Sequence, residues 1–166
     1  MTWYKTECPS PIGLLTLASD GENLTGLWME NQKFFCAGLP GDAISKDDLP
    51  VFSATRSWLD AYFAGECPSV AGIPLAPAGS PFRKQVWQIL MEIPYGHTIT
   101  YGDIAGKLGT GCAQAVGGAV GHNPISILIP CHRVLGASGN LTGYAGGTDR
   151  KRFLLTLEGV DVSRVK

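Results

Sequence analysis

The chain has 166 residues, of which 45% are hydrophobic and 16% charged, and it carries 22 glycines. That mix excludes a disordered chain and suits one compact unit or two small lobes with many tight turns. The net charge of −1 argues against a uniformly basic nucleic-acid binder, but it hides an asymmetry. Residues 1–79 hold four Lys/Arg against nine Asp/Glu, or −5, and residues 80–166 hold nine against five, or +4. That split fits either chance surface charge or a second half able to attract a polyanion.

No apolar stretch approaches membrane-spanning length, and MTWYKTECPS has no basic start followed by an apolar run. Neither a membrane association nor a secretory leader is expected. The five cysteines, Cys8, Cys36, Cys67, Cys112 and Cys131, are odd in number, widely spread and free of any C-x-x-C pair. This speaks against a disulfide framework and a zinc site, so no metal is expected and a reducing cytoplasm is the expected home.

In chain order, WYKTEC, GLLTLAS and LTGLWME read as short strands separated by Pro, Gly and the turn segment SDGEN. PVFSATRSWLDAYFAG reads as a helix with Val51, Thr55, Trp58, Leu59 and Tyr62 on one face and Gly65 as its stop. ECPSVAGIPLAPAGS, residues 66–80, has no periodicity and reads as an extended linker, which puts a boundary near residue 79. Ser80 caps the next helix, Pro81 sits at its first position, and Phe82, Val86, Ile89, Leu90 and Ile93 form its apolar stripe before Pro94 ends it. TYGDIAGKLG and AQAVGGAVGHN are two further short helices, a helix-turn-helix candidate. The second of them is almost wholly Ala, Val and Gly, which lets its backbone approach another surface closely. DRKRFLLTLEG is the last helix, with Asp149 as its expected cap and Gly159 as its stop. Glu158 then lies at the C-terminal end, where the macrodipole disfavours a carboxylate, so either a local partner holds it or it is solvated at small cost.

The segment NPISILIPCHRV concentrates the chemistry. A cysteine after an apolar run is most often an inert core residue. An adjacent His132 can activate it as a nucleophile, provided the chain turns at Pro130, because neighbours on a strand point to opposite faces. Downstream, GASGNLTGYAGG (136–147) is a Gly-rich loop with one aromatic, Tyr144, suited to walling a flat ligand; no Gly-Lys-Ser/Thr makes it a P-loop.

These blocks together, from FRKQVWQILMEIPYGHTITYGDIA through GGAVGHNPISILIPCHRV to GYAGG and RKRFLLTLEG, resemble the O6-alkylguanine-DNA alkyltransferase family across the whole second half. The first third fits by size and pattern. The resemblance implies an α/β fold of the α+β kind in two parts. Residues 1–79 would form a small antiparallel sheet with a helix, a ribonuclease H-like lobe. Residues 80–166 would form a helical DNA-binding lobe with the helix-turn-helix. The implied activity is direct, irreversible transfer of an alkyl group from O6 of guanine, and from O4 of thymine, in double-stranded DNA to the protein's own Cys131. The protein would act as a monomer, consumed after one turnover, and without a cofactor.

By the same resemblance His132 takes the thiol proton through a water and Glu158 holds His132. Tyr101 assists departure of the guanine and helps turn the nucleotide, and Asn123 fixes the turn that aims the cysteine. The backbone around Val134 and Ala145 reads the guanine edge, with Tyr144 beside it. Arg133 serves the site as an ion-pair or hydrogen-bond anchor. Ala115 and Gly118 belong to the helix that meets the DNA. One departure stands out: the family usually has an arginine directly before AVG, a side chain that fills the stack of the flipped base, and here the residue is Gln114.

Three rivals differ in kind. A non-enzymatic alkylated-DNA sensor of the alkyltransferase-like type lacks the acceptor cysteine, whereas Cys131 is present. A helix-turn-helix regulator needs polar side chains on the helix that reads bases, which AQAVGGAVG lacks. A cysteine hydrolase turns over and needs oxyanion donors. His97 and His122 read as turn or surface residues, and Cys112 as incidental.

Overall fold

The computed structural model describes residues 1–141 and 143–164. By contacts the chain divides into two units, Met1–Ala78 with Pro124–Ser126, and Gly79–Asn123 with Ile127–Lys166.

The first unit is built on a four-stranded sheet in the order β3-β2-β1-β4, with β1 Tyr4–Cys8, β2 Leu15–Ser19, β3 Leu24–Met29 and β4 Ile44–Ser45. The first three strands pair antiparallel, and β4 adds a short parallel edge to β1 that the sequence pattern did not announce. Central β2 is buried at every position. The turn after it forms because Asp20 Oδ1 accepts from the amides of Glu22 (3.0 Å) and Asn23 (2.8 Å), an Asx turn of the kind that SDGEN predicts. Helix α1, Pro50–Phe63, buries the five expected residues and Phe52 besides, and Gly65 beyond its end takes φ +88°.

The segment read as a linker is extended but tied down. Leu24 donates to Pro74 O (2.8 Å), Ala76 donates to Leu24 O (2.9 Å), and Trp58 Nε1 donates to Pro68 O (3.2 Å). Residues Pro124–Ser126 also join this unit beside β3, where Leu27 donates to Pro124 O and Ser126 donates to Leu27 O.

In the second unit, α2 is Pro81–Met91, with Ser80 Oγ accepting from the Arg83 amide. Its buried residues are Val86, Trp87 and Leu90; Phe82 and Ile89, expected on the stripe, are only half-buried. Trp87, outside the expected stripe, faces inward because its Nε1 donates to Ala119 O at 2.8 Å. Helix α3, Tyr101–Leu108, starts with a capping box between Thr100 and Asp103 and ends at Gly109, φ +67°. Helix α4, Ala113–Gly121, follows after a short turn and completes the helix-turn-helix pair.

A two-stranded parallel ladder of β5 Ile99–Thr100 and β6 Val134–Leu135 sits inside this otherwise helical unit. Helix α5, Thr148–Leu157, corrects one expectation: Gly147 holds the cap position without a side-chain bond, and Asp149 lies within the first turn. Asp149 there still faces the positive end of the helix dipole. Among the described residues no helix is long and apolar enough to cross a membrane.

Candidate active site

The approach to Cys131 is strained and fixed. Ile127, a buried β-branched residue, takes φ +73°, a conformation that costs on the order of 1–3 kcal/mol and is held only where the surroundings dictate it. Buried Asn123 Nδ2 donates to Ile129 O at 2.8 Å, which ties the two ends of this segment together. Pro130 then adopts φ −81°, ψ 66° while the Cys131 amide donates to Ile129 O at 2.8 Å, an inverse γ-turn. Residues Cys131–Arg133 continue as a single 3-10 turn. The chain therefore does turn at Pro130, and Cys131 and His132 escape the strand geometry that would point them apart.

Both are deeply buried, Cys131 at 4% exposure and His132 at 0%. Burial pushes the Cys131 thiol up, against a hydrogen bond from Asn123 and the positive charge of Lys151 that pull it down. Burial pushes His132 down, against the Glu158 carboxylate that favours its charged form. At neutral pH the pair therefore rests as thiol and neutral imidazole.

His132 Nε2 lies 2.6 Å from Glu158 Oε2. An ionised carboxylate only accepts, so Nε2 carries the hydrogen, and Nδ1 is the ring's basic nitrogen. Glu158, with its side chain fully buried, is the hub of the network. Its Oε1 accepts from Arg133 Nε (2.7 Å) and from the Gly96 amide (3.1 Å), and its Oε2 also accepts from Arg133 Nη2 (3.2 Å). Arg133 Nη1 donates to Ile93 O at 2.7 Å, and the guanidinium lies 5.8 Å from the Tyr95 ring centroid. A carboxylate that the dipole of α5 disfavours is thus held by a bidentate arginine.

Tyr101 opens α3, half-buried, and burial together with the Cys131 charge pushes its hydroxyl up to about 12, so it stays a neutral donor. A Cβ on Gly143, which has φ +88°, would come within 2.7 Å of the Tyr101 hydroxyl, so the Gly-rich loop packs its backbone closely over that oxygen.

Val134 is fully buried and its amide donates to Cys131 O. Tyr144 is buried at 9% exposure and Ala145 is half-buried in the loop before α5. Gln114, Ala115 and Gly118 lie exposed on α4, outside this hydrogen-bond set. His97 is exposed and His122 half-buried, and among the described residues no group of His, Cys, Asp or Glu is arranged to hold a metal.

Sequence reasoning missed three parts of the site. The Ile93-to-Gly96 corner supplies two backbone partners and the Tyr95 ring. Lys151 is fully buried, with its Nζ 5.9 Å from the Tyr144 ring centroid. A signal for Lys151 existed: Lys151, Leu154, Leu155 and Glu158 fall at i, i+3, i+4 and i+7, one face of a helix. The strained Ile127 left no such mark.

Comparison with known proteins completes the picture. Residues 81–160 match the family model of the 6-O-methylguanine DNA methyltransferase DNA binding domain, and residues 3–77 match that of the 6-O-methylguanine DNA methyltransferase ribonuclease-like domain. The chain is similar to the methylated-DNA–protein-cysteine methyltransferase of Haemophilus influenzae, 47% identical over 93% of this chain and 86% of that protein. It is also similar to the protein of the same name from Mycobacterium tuberculosis, 49% identical over 95% of this chain and 93% of the relative. Among solved structures, Mycobacterium tuberculosis OGT in complex with DNA superposes with a TM-score of 0.85 at 46% identity, covering 98% of this chain and 94% of that one. The O6-methylguanine-DNA methyltransferase from Pyrococcus kodakaraensis gives a TM-score of 0.61 at 28% identity, over 96% and 100% of the two chains. Matched by both family models along nearly its whole length and by relatives at 47% and 49% identity, the chain belongs to the 6-O-methylguanine DNA methyltransferase family.

Proposed function

We propose that this protein repairs DNA by taking the alkyl group from O6 of guanine, and from O4 of thymine, onto Cys131, once per molecule. The observation that carries this reading is the Cys131–His132 turn with His132 Nε2 held 2.6 Å from Glu158 Oε2. It leaves Nδ1 as the base for the thiol proton, directly or through a water.

The Cys131 proton passes to His132 Nδ1, and the imidazolium is stabilised by Glu158. Sulfur attacks the alkyl carbon, a C–S bond forms, and the C–O6 bond breaks with its electron pair leaving on the base. Tyr101 donates a hydrogen bond to the departing base, and the proton held on His132 returns to it. No tetrahedral oxyanion forms, so no oxyanion hole is needed. The thioether is stable, which ends activity after one transfer.

The target atom is stacked inside the duplex, so the base must be flipped into the pocket. The exposed face of α4, with Ala115 and Gly118, suits close approach to a minor groove, and Gln114 occupies the position from which a side chain fills the vacated stack. Asn123 fixes the cysteine turn, Tyr144 flanks the base, and the backbone at Val134 and Ala145 reads its edge. Arg133 positions Glu158. The protein works as a cytoplasmic monomer without cofactor, its second half meeting the phosphates. The sensor alternative predicts tight binding with the lesion intact.

The test follows the DNA. A duplex with one O6-methylguanine is incubated with increasing protein, and its nucleosides are analysed. Conversion to guanine in proportion to protein added, one per molecule, is the expected result. A lesion that stays intact while bound would favour the sensor. Conversion beyond one per molecule would contradict the single-turnover reading.

A further inference from the structure

The chemistry above leaves one fully buried charge-bearing side chain without a task. Lys151, on the inward face of α5, is 0% exposed, and its Nζ makes no hydrogen bond among the described residues. Its place is unfavourable twice over. Burial penalises an ammonium, and the first turns of a helix carry the positive end of the dipole. Packing alone does not explain it, because a methionine would fill the same space without either penalty.

The groups that face it explain the choice. Helix α5, whose buried face carries Lys151, packs against the Cys131–Arg133 turn, and there Cys131 and His132 both feel the Lys151 charge, which pulls the thiol down and opposes protonation of the imidazole. From the loop before α5 comes the Tyr144 ring. Tyr101, on α3, is raised by burial and by the Cys131 charge, and stays neutral. Glu158 is occupied by Arg133, His132 and the Gly96 amide. The anion that proton loss creates beside this helix is the Cys131 thiolate, and its charge favours the ammonium form of Lys151.

We infer that Lys151 is a positioning residue of the transfer, its buried ammonium serving as the counter-charge that stabilises the Cys131 sulfur as thiolate. The inference rests on Cys131 being the alkyl acceptor. Lys151 keeps its protons throughout: the thiol proton goes to His132, and the negative charge moves from sulfur to the departing base. Burial brings Lys151 down to about 8, so the ammonium remains the main form at neutral pH and is lost in mild alkali.

The test compares wild type with Lys151→Met and Lys151→Arg. The rate at which iodoacetamide modifies Cys131, followed by peptide mass against pH, gives the thiol half-point. Thermal unfolding and single-turnover transfer are measured alongside. Lys151→Met is expected to raise the half-point by a pH unit or more and slow both reactions at neutral pH roughly tenfold per unit. Its melting temperature is expected to stay equal or rise, and Lys151→Arg should shift the half-point less.

An unchanged half-point, a slower transfer without a shifted half-point, or a Lys151→Met protein that is destabilised or unfolded would each overturn the inference. The last would make Lys151 a structural anchor. If wild type takes no alkyl group from DNA, the proposed function fails while the iodoacetamide half-points still decide the role of Lys151.

Discussion

Glu158→Gln is the substitution that strains the site most for the least change in shape. The carboxylate accepts four hydrogen bonds: from Arg133 Nε and the Gly96 amide at one oxygen, and from His132 Nε2 and Arg133 Nη2 at the other. A glutamine can keep the first pair with its carbonyl. Its amide nitrogen then points donors at the second pair. The largest loss is the charge itself, because the Arg133 side chain is only 12% exposed and would keep its cation without an anion. Breaking a buried pair from one side costs about 3–5 kcal/mol, and the unsatisfied donors lie within that figure.

The assay is the urea midpoint at neutral pH, with single-turnover transfer measured on the folded fraction. The double variant Arg133→Met/Glu158→Gln should cost less than the sum of its parts, by about 1–3 kcal/mol, because the second change removes the stranded charge. A loss below about 1 kcal/mol, the size of an exposed salt bridge, would show that Glu158 is solvated and that the network described here does not hold His132.

The remaining predictions concern pH and DNA. Burial holds His132 below its usual 6.5, so at pH values just under 6.5 the unfolded chain binds a proton that the fold refuses. Stability should therefore fall as pH drops through that value, and His132→Gln should flatten the slope; urea midpoints that give the two proteins the same slope would refute it. Gln114→Arg should tighten duplex binding and steepen its salt dependence, by up to about one unit of slope per added phosphate contact. Fluorescence titrations at two salt concentrations that gave equal affinities would show that Gln114 is no handicap.

What the sequence disclosed follows from the range of the forces involved. The three long strands, the helices and the helix-turn-helix were legible because turn residues, the Ser80 cap and 3.6-residue periodicity are local. The two-residue strands β4, β5 and β6 carry no period and were invisible. Asp149 looked like a cap by residue type, but the chain turns into α5 at Gly147, whose φ of +90° suits a glycine.

The site was half legible for the same reason. A carboxylate at the wrong end of a helix left Glu158 open between a local partner and solvation, and proline pointed to a turn at Cys131. The partners themselves, Arg133 and the Gly96 amide, are tertiary contacts. Lys151 was masked by the charges around it, since Asp-Arg-Lys-Arg reads as a solvated run until its helical face is counted.

The claim that everything else serves is that Cys131 is the acceptor. Protein incubated with an O6-methylguanine duplex, digested and mapped by tandem mass spectrometry, tests it directly, with Cys131→Ala treated in parallel. One added methylene per molecule is expected on Cys131, and none on Cys8, Cys36, Cys67 or Cys112 or anywhere in the Cys131→Ala protein. A methyl group on another residue, or an unmodified Cys131 after the DNA has been repaired, would contradict it.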